Sequence, residues 1–86
     1  MQVHTIKSDK KWFNTMKPFE LRKNDRNYQV GDKLVLTEYD SYRRCLTGKI
    51  HVAKITGIIT NKEFEVLSDF AILEITYTYN DSNTEE

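Results

Sequence analysis

The 86-residue sequence has one cysteine, one proline and three glycines. A lone thiol, Cys45, cannot close an intramolecular disulfide, so the chain is expected to fold uncross-linked in a reducing, cytoplasmic compartment. Arg43 and Arg44 precede Cys45 and favour its thiolate; an incidental thiol is nevertheless the expectation. So few glycines and prolines leave no flexible linker and no glycine-rich phosphate loop. No apolar run approaches the ~20 residues that cross a bilayer. No basic segment followed by an apolar one opens the chain, so neither membrane nor secretory targeting is expected. His4 and His51 lie far apart and have no cysteine pair beside them, so neither a metal site nor a cofactor is expected. Charge of one sign is also lacking, because the formal net charge is zero. Dedicated RNA binders are usually more basic.

The residues that are present describe a soluble globular chain. Hydrophobic content is 38% and charged content 30%, too apolar for a disordered segment. The length supports one domain of modest stability, expected over 1–79 as a monomer, with a flexible acidic tail over 80–86. The sign of charge is unevenly spread. Residues 1–26 carry seven Lys/Arg against three acids, which is +4, and the zero total leaves −4 for the remainder. Such a split marks either an anion-binding face or a chance distribution.

Alternation and turn chemistry predict mainly strands. Val3 to Ile6 reads as the first strand. Ser8 and Asp9 suit a helix N-terminus, and Trp12, Phe13 and Met16 then share one apolar face, with Trp12 expected in the core. Pro18 forces Lys17 out of helical conformation. Phe19 and Leu21 are expected to anchor a strand, with Glu20 and Arg22 on its other face. Gly31-Asp32 signals a turn before the clearest strand, Lys33 to Tyr39, where Leu34, Leu36 and Glu38 share the inward parity. Asp40 to Gly48 reads as a loop. Lys49 to Thr60 is a strand whose apolar parity slips between Ile50/Val52 and Ala53/Ile55, which predicts a bulge, with Gly57 a bend point. Asn61 to Asp69 is a connector anchored by Phe64 and Val66. Ala71 to Tyr79 alternates as the last strand. Five strands with one or two short helices suggest a closed or nearly closed barrel, since closure removes exposed edges.

The densest polar cluster is Lys17, Glu20, Arg22, Lys23, Asn24, Asp25 and Arg26. It admits two readings. One is a solvated strand face with a Glu20–Arg22 ion pair worth about 0–1 kcal/mol. The other is a binding site held on a rigid strand. The stretch Lys17-Pro18-Phe19-Glu20-Leu21-Arg22-Lys23-Asn24-Asp25-Arg26-Asn27-Tyr28-Gln29-Val30-Gly31-Asp32 resembles the signature of a small bacterial and phage family in the ASCH/PUA-like superfamily. His4-Thr5-Ile6-Lys7 and Trp12-Phe13 resemble that family's opening strand and helix. Leu34-Val35-Leu36-Thr37-Glu38 and Thr47-Gly48 resemble its following strands, and the similarity runs to about Ile75. The helix before Lys17 is about one turn shorter than in many relatives.

The resemblance implies an α+β, mainly β fold: a small PUA-like (ASCH) β-barrel with a cleft between barrel and helix that receives RNA or a nucleotide-like ligand. Carried over by position, Lys17, Glu20, Arg22, Lys23, Asn24, Asp25 and Arg26 would line or support that cleft, with Glu38 joining at the barrel mouth. Arginines grip phosphate bidentately and lysines act as point charges. Asn24 suits a base edge, Asp25 a brace for Arg22 or Arg26, and Tyr28, Tyr39 or Trp12 a stacking platform. Tyr39 and Tyr42 read equally well as surface packing or as ligand stacking.

Some ASCH relatives hydrolyse an acylated cytidine nucleoside with a lysine, a threonine three residues on and a glutamate elsewhere. Here Lys17 is followed at that spacing by Glu20, which is not an alcohol, so that chemistry is not matched. A nucleic-acid or nucleotide-binding module is the leading expectation. A small hydrolase of modified nucleosides or RNA using Lys17, Glu20 or Glu38, and a protein-interaction modulator, are the alternatives.

Overall fold

A computed structural model describes residues 1–81. The expected acidic tail falls mostly on residues 82–86, which lie outside the described part. The chain runs β1 (Val3–Asp9), α1 (Lys10–Thr15), β2 (Phe19–Lys23), β3 (Lys33–Asp40), β4 (Cys45–Ile59) and β5 (Phe70–Tyr79). A single 3-10 turn, Glu65–Leu67, precedes β5. The five strands form one sheet in the order β1-β3-β4-β5-β2. β1 pairs parallel with β3, and the other pairs are antiparallel. The sheet curls into a half-barrel, so the fold is small and β-rich as expected.

Closure is where it departs from the expected barrel. β1 and β2 are the two edges of the sheet and do not pair with each other. The seam between them is bridged by side chains. Arg22 Nη2 donates to the Lys7 carbonyl at 2.8 Å, and Arg26 Nη1 to the Thr5 carbonyl at 2.9 Å. Alternate residues of a strand direct their backbone polar groups to the same edge. Thr5 and Lys7 therefore present the carbonyls that an absent neighbouring strand would have taken, and the two guanidinium groups supply the donors.

The core follows the alternation. Ile6 of β1, Leu34 and Leu36 of β3, Ala53 and Ile55 of β4, and Ala71, Leu73 and Ile75 of β5 point inward around Phe13 and Tyr28. Gly57 permits close approach of β4 to β5: a Cβ there would lie 2.7 Å from Glu74 Oε1. The strand register shifts just before it, between Ile55 and Gly57, and also between Val52 and Ala53, where the irregular parity predicted a bulge. Gly31 has φ +98°, which a side chain would resist, and its N–H bonds to the Ile55 carbonyl.

Helix α1 is capped by Asp9, whose carboxylate accepts from the Lys11 N–H, and it ends at Met16 in the left-handed region. Two turns cannot bury both Trp12 and Phe13, which lie about 100° apart around the helix. Phe13 takes the core, and Trp12 is 52% exposed, contrary to expectation. His51, fully buried on β4, fixes the helix. Its ring stacks on Phe13 at 3.7 Å between centroids and meets Tyr77 edge-on. Its Nε2 donates to the Phe13 carbonyl, one of the carbonyls a helix end leaves unpaired, and its Nδ1 accepts from the Asp81 N–H. His51 thus holds the inward position that the apolar residues Ile50 and Val52 suggested for themselves.

Other expectations are corrected. Phe19 and Leu21 face outward, and Glu20 and Arg22 are the half-buried side of β2. Phe64 and Val66 are exposed and anchor nothing, Val66 being 89% accessible. The segment read as a loop over 40–48 is a tight hairpin: β3 runs through Asp40 and β4 starts at Cys45. Asp40 Oδ1 accepts from the N–H groups of Tyr42 and Arg43 and builds the turn. Tyr28 is buried against His4 at 4.7 Å between ring centroids and cannot stack on a ligand.

A second buried polar pair closes the entrance to β3. His4 Nε2 donates to Asp32 Oδ2 at 2.9 Å, and the N–H groups of Gln2 and Gln29 donate to the same carboxylate. The Gln2 N–H first, then His4, hold the Asp32 carboxyl below its ordinary 3.8. The unfolded chain therefore binds the proton more readily. The pair's contribution is fully present above 3.8 and drains away as pH falls below it toward the folded value. Chemical unfolding as a function of pH should show stability falling across that window, with the fall flattened in Asp32→Asn; an unchanged acid limb in the variant rules the pair out as its source. His51→Ala should cost about 3 kcal/mol, from the cavity and from the stranded Phe13 carbonyl and Asp81 N–H. Urea unfolding measures it, and a loss below about 1 kcal/mol contradicts the anchoring role.

Candidate functional site

The open seam of the sheet leaves a groove of about 430 Å³ between α1 and β2. Ser8 and Asp9 at the end of β1, Trp12 of the helix, Lys17, and Phe19 to Arg22 of β2 line it. Pro18 and the left-handed Met16 turn the chain sharply from helix to strand, which sets Trp12 and Phe19 on either side of Lys17. Lys17 Nζ lies 4.2 Å from the Trp12 ring centroid and 6.0 Å from that of Phe19. This cation–π contact places an ammonium group between two partly exposed rings. The Lys17 backbone is itself fixed, because the Tyr77 hydroxyl donates to its carbonyl at 2.8 Å. Burial, with a smaller contribution from the Glu20 carboxylate, pushes the Tyr77 phenol up to about 12. Tyr77 therefore remains a hydrogen-bond donor throughout the physiological range.

On the polar side of the groove, Arg22 Nε donates to Glu20 Oε1 at 3.2 Å while its Nη2 holds the Lys7 carbonyl. The guanidinium is thus committed to two partners, and its orientation is rigid. Lys17 makes no carboxylate ion pair among the described residues. The groove therefore combines aromatic walls, one cation without a carboxylate partner, and a fixed acid–base pair able to present both an acceptor and a donor edge.

The expected site residues divide into groups. Lys17, Glu20 and Arg22 converge on this groove. Arg26 is spent on the seam, bonded to the Thr5 carbonyl. Lys23, Asn24 and Asp25 are exposed at the end of β2 and in the turn after it, and do not line the groove. Asn24 is held through its N–H to the Asp69 carbonyl. Asp25 braces neither arginine, since Arg22 uses Glu20 and Lys7 while Arg26 uses Thr5.

Glu38 lies elsewhere. It is 1% exposed on β3, at an irregularity in the β3–β4 register between Thr37 and Tyr39, and lines a separate open cleft of about 800 Å³ on the other flank of α1. Its two oxygens accept from Asn14 Nδ2 and Thr47 Oγ1. Asp9 lines both hollows. In the sequence Trp12 reads chiefly as a core residue, with ligand stacking the lesser alternative, and Phe19 only as an anchor. The pairing of Asn14 and Thr47 with Glu38 had no signal in the sequence, because it joins a helix, a strand and a hairpin far apart in the chain. Among the described residues no group of three or more His, Cys, Asp or Glu side chains is placed to hold a metal. Among the described residues no helix is long and apolar enough to cross a membrane.

A curled five-stranded half-barrel with a side-chain-stitched seam and an aromatic groove beside it defines a small β-rich domain. The chain belongs to the family described as a domain of unknown function (DUF3850), whose pattern matches residues 3–75. It is similar to an uncharacterized 12.9 kDa protein in the GpA 3′ region of Escherichia phage P2. The two are 33% identical over 76 residues, covering 84% of this chain and 66% of the phage protein. The chain thus spans just under two thirds of that relative's length.

The double duty of Arg22 has a measurable consequence. Arg22→Met should remove about 1 kcal/mol of support from the edge of β1 and accelerate amide exchange of Ile6 and Ser8 roughly fivefold relative to β4. Exchange rates in β1 that match the wild type would show that Arg22 does not hold the seam.

Proposed function

We propose that the groove between α1 and β2 binds the unpaired base of a nucleotide, in RNA before other carriers, and that the domain is a nucleic-acid-binding module of the ASCH/PUA-like kind. The observation that carries this reading is the placement of Lys17 within cation–π range of the partly exposed rings of Trp12 and Phe19, in a hollow that Glu20 and Arg22 also line. A soluble domain gains nothing by leaving a tryptophan half in water at the lip of a hollow, whereas a base stacked there recovers the apolar contact. Base–aromatic stacking is worth about 1–3 kcal/mol. A hollow of about 430 Å³ lies within the size range of small-ligand sites.

The polar groups suit the rest of a nucleotide. Glu20 accepts from an exocyclic amine, and Arg22 donates to a ring nitrogen or carbonyl, reading a base edge as unpaired RNA is usually read. Lys17 meets the phosphate as a point charge. With zero net charge there is little long-range attraction, so affinity rests on stacking and local contacts and depends only weakly on salt.

Trp12 is the only tryptophan, so its fluorescence reports the groove directly. Titration with nucleoside monophosphates and short unpaired RNA should quench it. Lys17→Gln and Phe19→Ala should each weaken binding by about fivefold or more. If Trp12 emission stays constant up to ~1 mM ligand at low salt, the nucleotide reading fails.

A further inference from the structure

We propose that the cleft on the opposite flank of α1 is a second subsite, which holds the ribose and phosphate of the nucleotide next along the chain from the one whose base sits in the Trp12 groove, so that the ligand is a single-stranded oligoribonucleotide and not a mononucleotide. This rests on the nucleotide reading of that groove.

Three observations carry it. The first is continuity. α1 has only two turns, with Trp12 on one flank and Lys10, Lys11 and Asn14 on the other, so the helix separates the hollows by about its own 10 Å width. Asp9 borders both. Beneath them, Ser8, which lines the groove, is the register partner on β1 of Glu38 on β3, which lines the cleft. The two floors are neighbouring positions of one sheet.

The second is the distribution of charge. Lys10, Lys11, Arg43 and Lys49 stand around the cleft. Lys10 is near Asp40 at 4.0 Å, whereas no hydrogen bond or ion pair engages the Arg43 or Lys49 head group among the described residues. Asp9, Glu38 and Asp40 also line the cleft, and Asp40 is within electrostatic reach of Arg43. Four cations against three acids leave the cleft net positive, which suits a phosphodiester.

The third is the floor. Glu38 is almost wholly buried, yet its oxygens accept one hydrogen bond each, from Asn14 and from Thr47. A carboxylate offers about four acceptor positions. The unused ones favour a neutral donor, not a phosphate, and a ribose hydroxyl is the donor that lies next to a phosphate in RNA. Glu38 keeps the inward parity of Leu34 and Leu36 and reaches the floor of the cleft where the β3–β4 register shifts between Thr37 and Tyr39. An acceptor at the bottom with cations on the rim is the complement of a ribose–phosphate unit. Asp9 at the junction adds a second acceptor and disfavours a phosphate there, so a sugar crosses at that point.

Trp12 fluorescence separates the outcomes when the protein is titrated with cytidine 5′-monophosphate, a tetracytidylate RNA and the DNA of the same sequence. The RNA tetramer should bind about tenfold more tightly than the monophosphate at low salt, and more tightly than the DNA. Arg43→Gln combined with Lys49→Gln, both surface changes, should remove most of the tetramer's advantage and leave the monophosphate affinity unchanged. Equal affinities for monophosphate and tetramer, equal losses for both in the double variant, or DNA binding as well as RNA would each overturn the second subsite while leaving the groove reading intact. If Trp12 responds to none of the three, the groove reading fails. Because the second subsite rests on that reading, it falls with it.

Discussion

The structure depends on a sheet that curls far enough to bring its edges together but does not pair them. β1 and β2 leave a seam, and two arginines close it by donating to the Lys7 and Thr5 carbonyls. Full pairing would have satisfied more backbone groups and abolished both edges. It would also have removed the space in which Ser8, Asp9, Glu20 and Arg22 face a common hollow. Guanidinium groups satisfy carbonyls at side-chain distance, so the edges are quieted without bringing the strands into contact. The groove exists because the barrel is held shut by side chains there and not by a ladder.

Arg22 makes stability and site geometry inseparable. One end of its guanidinium holds β1, the other holds Glu20, and both strands wall the groove. An exposed ion pair adds little stability by itself. Here the pair contributes a fixed orientation, since the bond to the Lys7 carbonyl removes rotameric freedom that an isolated surface arginine keeps. Buried polar groups do the same work elsewhere. His51 joins α1 to β4 and to Asp81, His4 and Asp32 join β1 to the turn before β3, and Glu38 joins α1, β3 and β4. Among the described residues no buried side-chain nitrogen or oxygen lacks a partner. In a small domain with a limited apolar core, such networks give the short helix one position where hydrophobic contact alone would allow several.

Much of this was legible in the sequence, where one local rule dominated. Alternation placed Leu34, Leu36 and Glu38 inward, Asp9 and Pro18 bracketed the helix, and Gly57 marked the irregularity in β4. The failures came where two rules competed. Trp12 and Phe13 are adjacent, and periodicity could not decide which one a two-turn helix would bury. On β2, hydrophobicity favoured Phe19 and Leu21 as the inward face, but Arg22 and Glu20 turn inward because the seam carbonyls need donors. That need is visible only once β1 is known to be an edge. In the same way, the cluster from Lys17 to Arg26 was read as one site. The strand pairing of β2 ends at Lys23, so only its first half reaches the groove, and Glu38 is carried to the far side of the helix.

Zero net charge conceals an uneven distribution of charge over the surface. A ligand senses charge within about a Debye length, roughly 8–10 Å at ordinary ionic strength. Within that range of the groove the compensated charges are those of Arg22 and Glu20, while Lys17 lies over aromatic faces without a carboxylate partner. Four further cations surround the neighbouring cleft. The acidic residues that balance the total include Glu63, Glu65 and Asp69, located in and around the connector between β4 and β5, and Glu74 on the outer face of β5. Neutrality of the whole chain therefore weakens long-range steering, while the two hollows beside α1 are lined by six cationic side chains (Lys10, Lys11, Lys17, Arg22, Arg43, Lys49) against four acidic ones (Asp9, Glu20, Glu38, Asp40). A surface arranged this way offers contact-range recognition, by ring faces and fixed polar edges, in place of the long-range attraction of a basic surface.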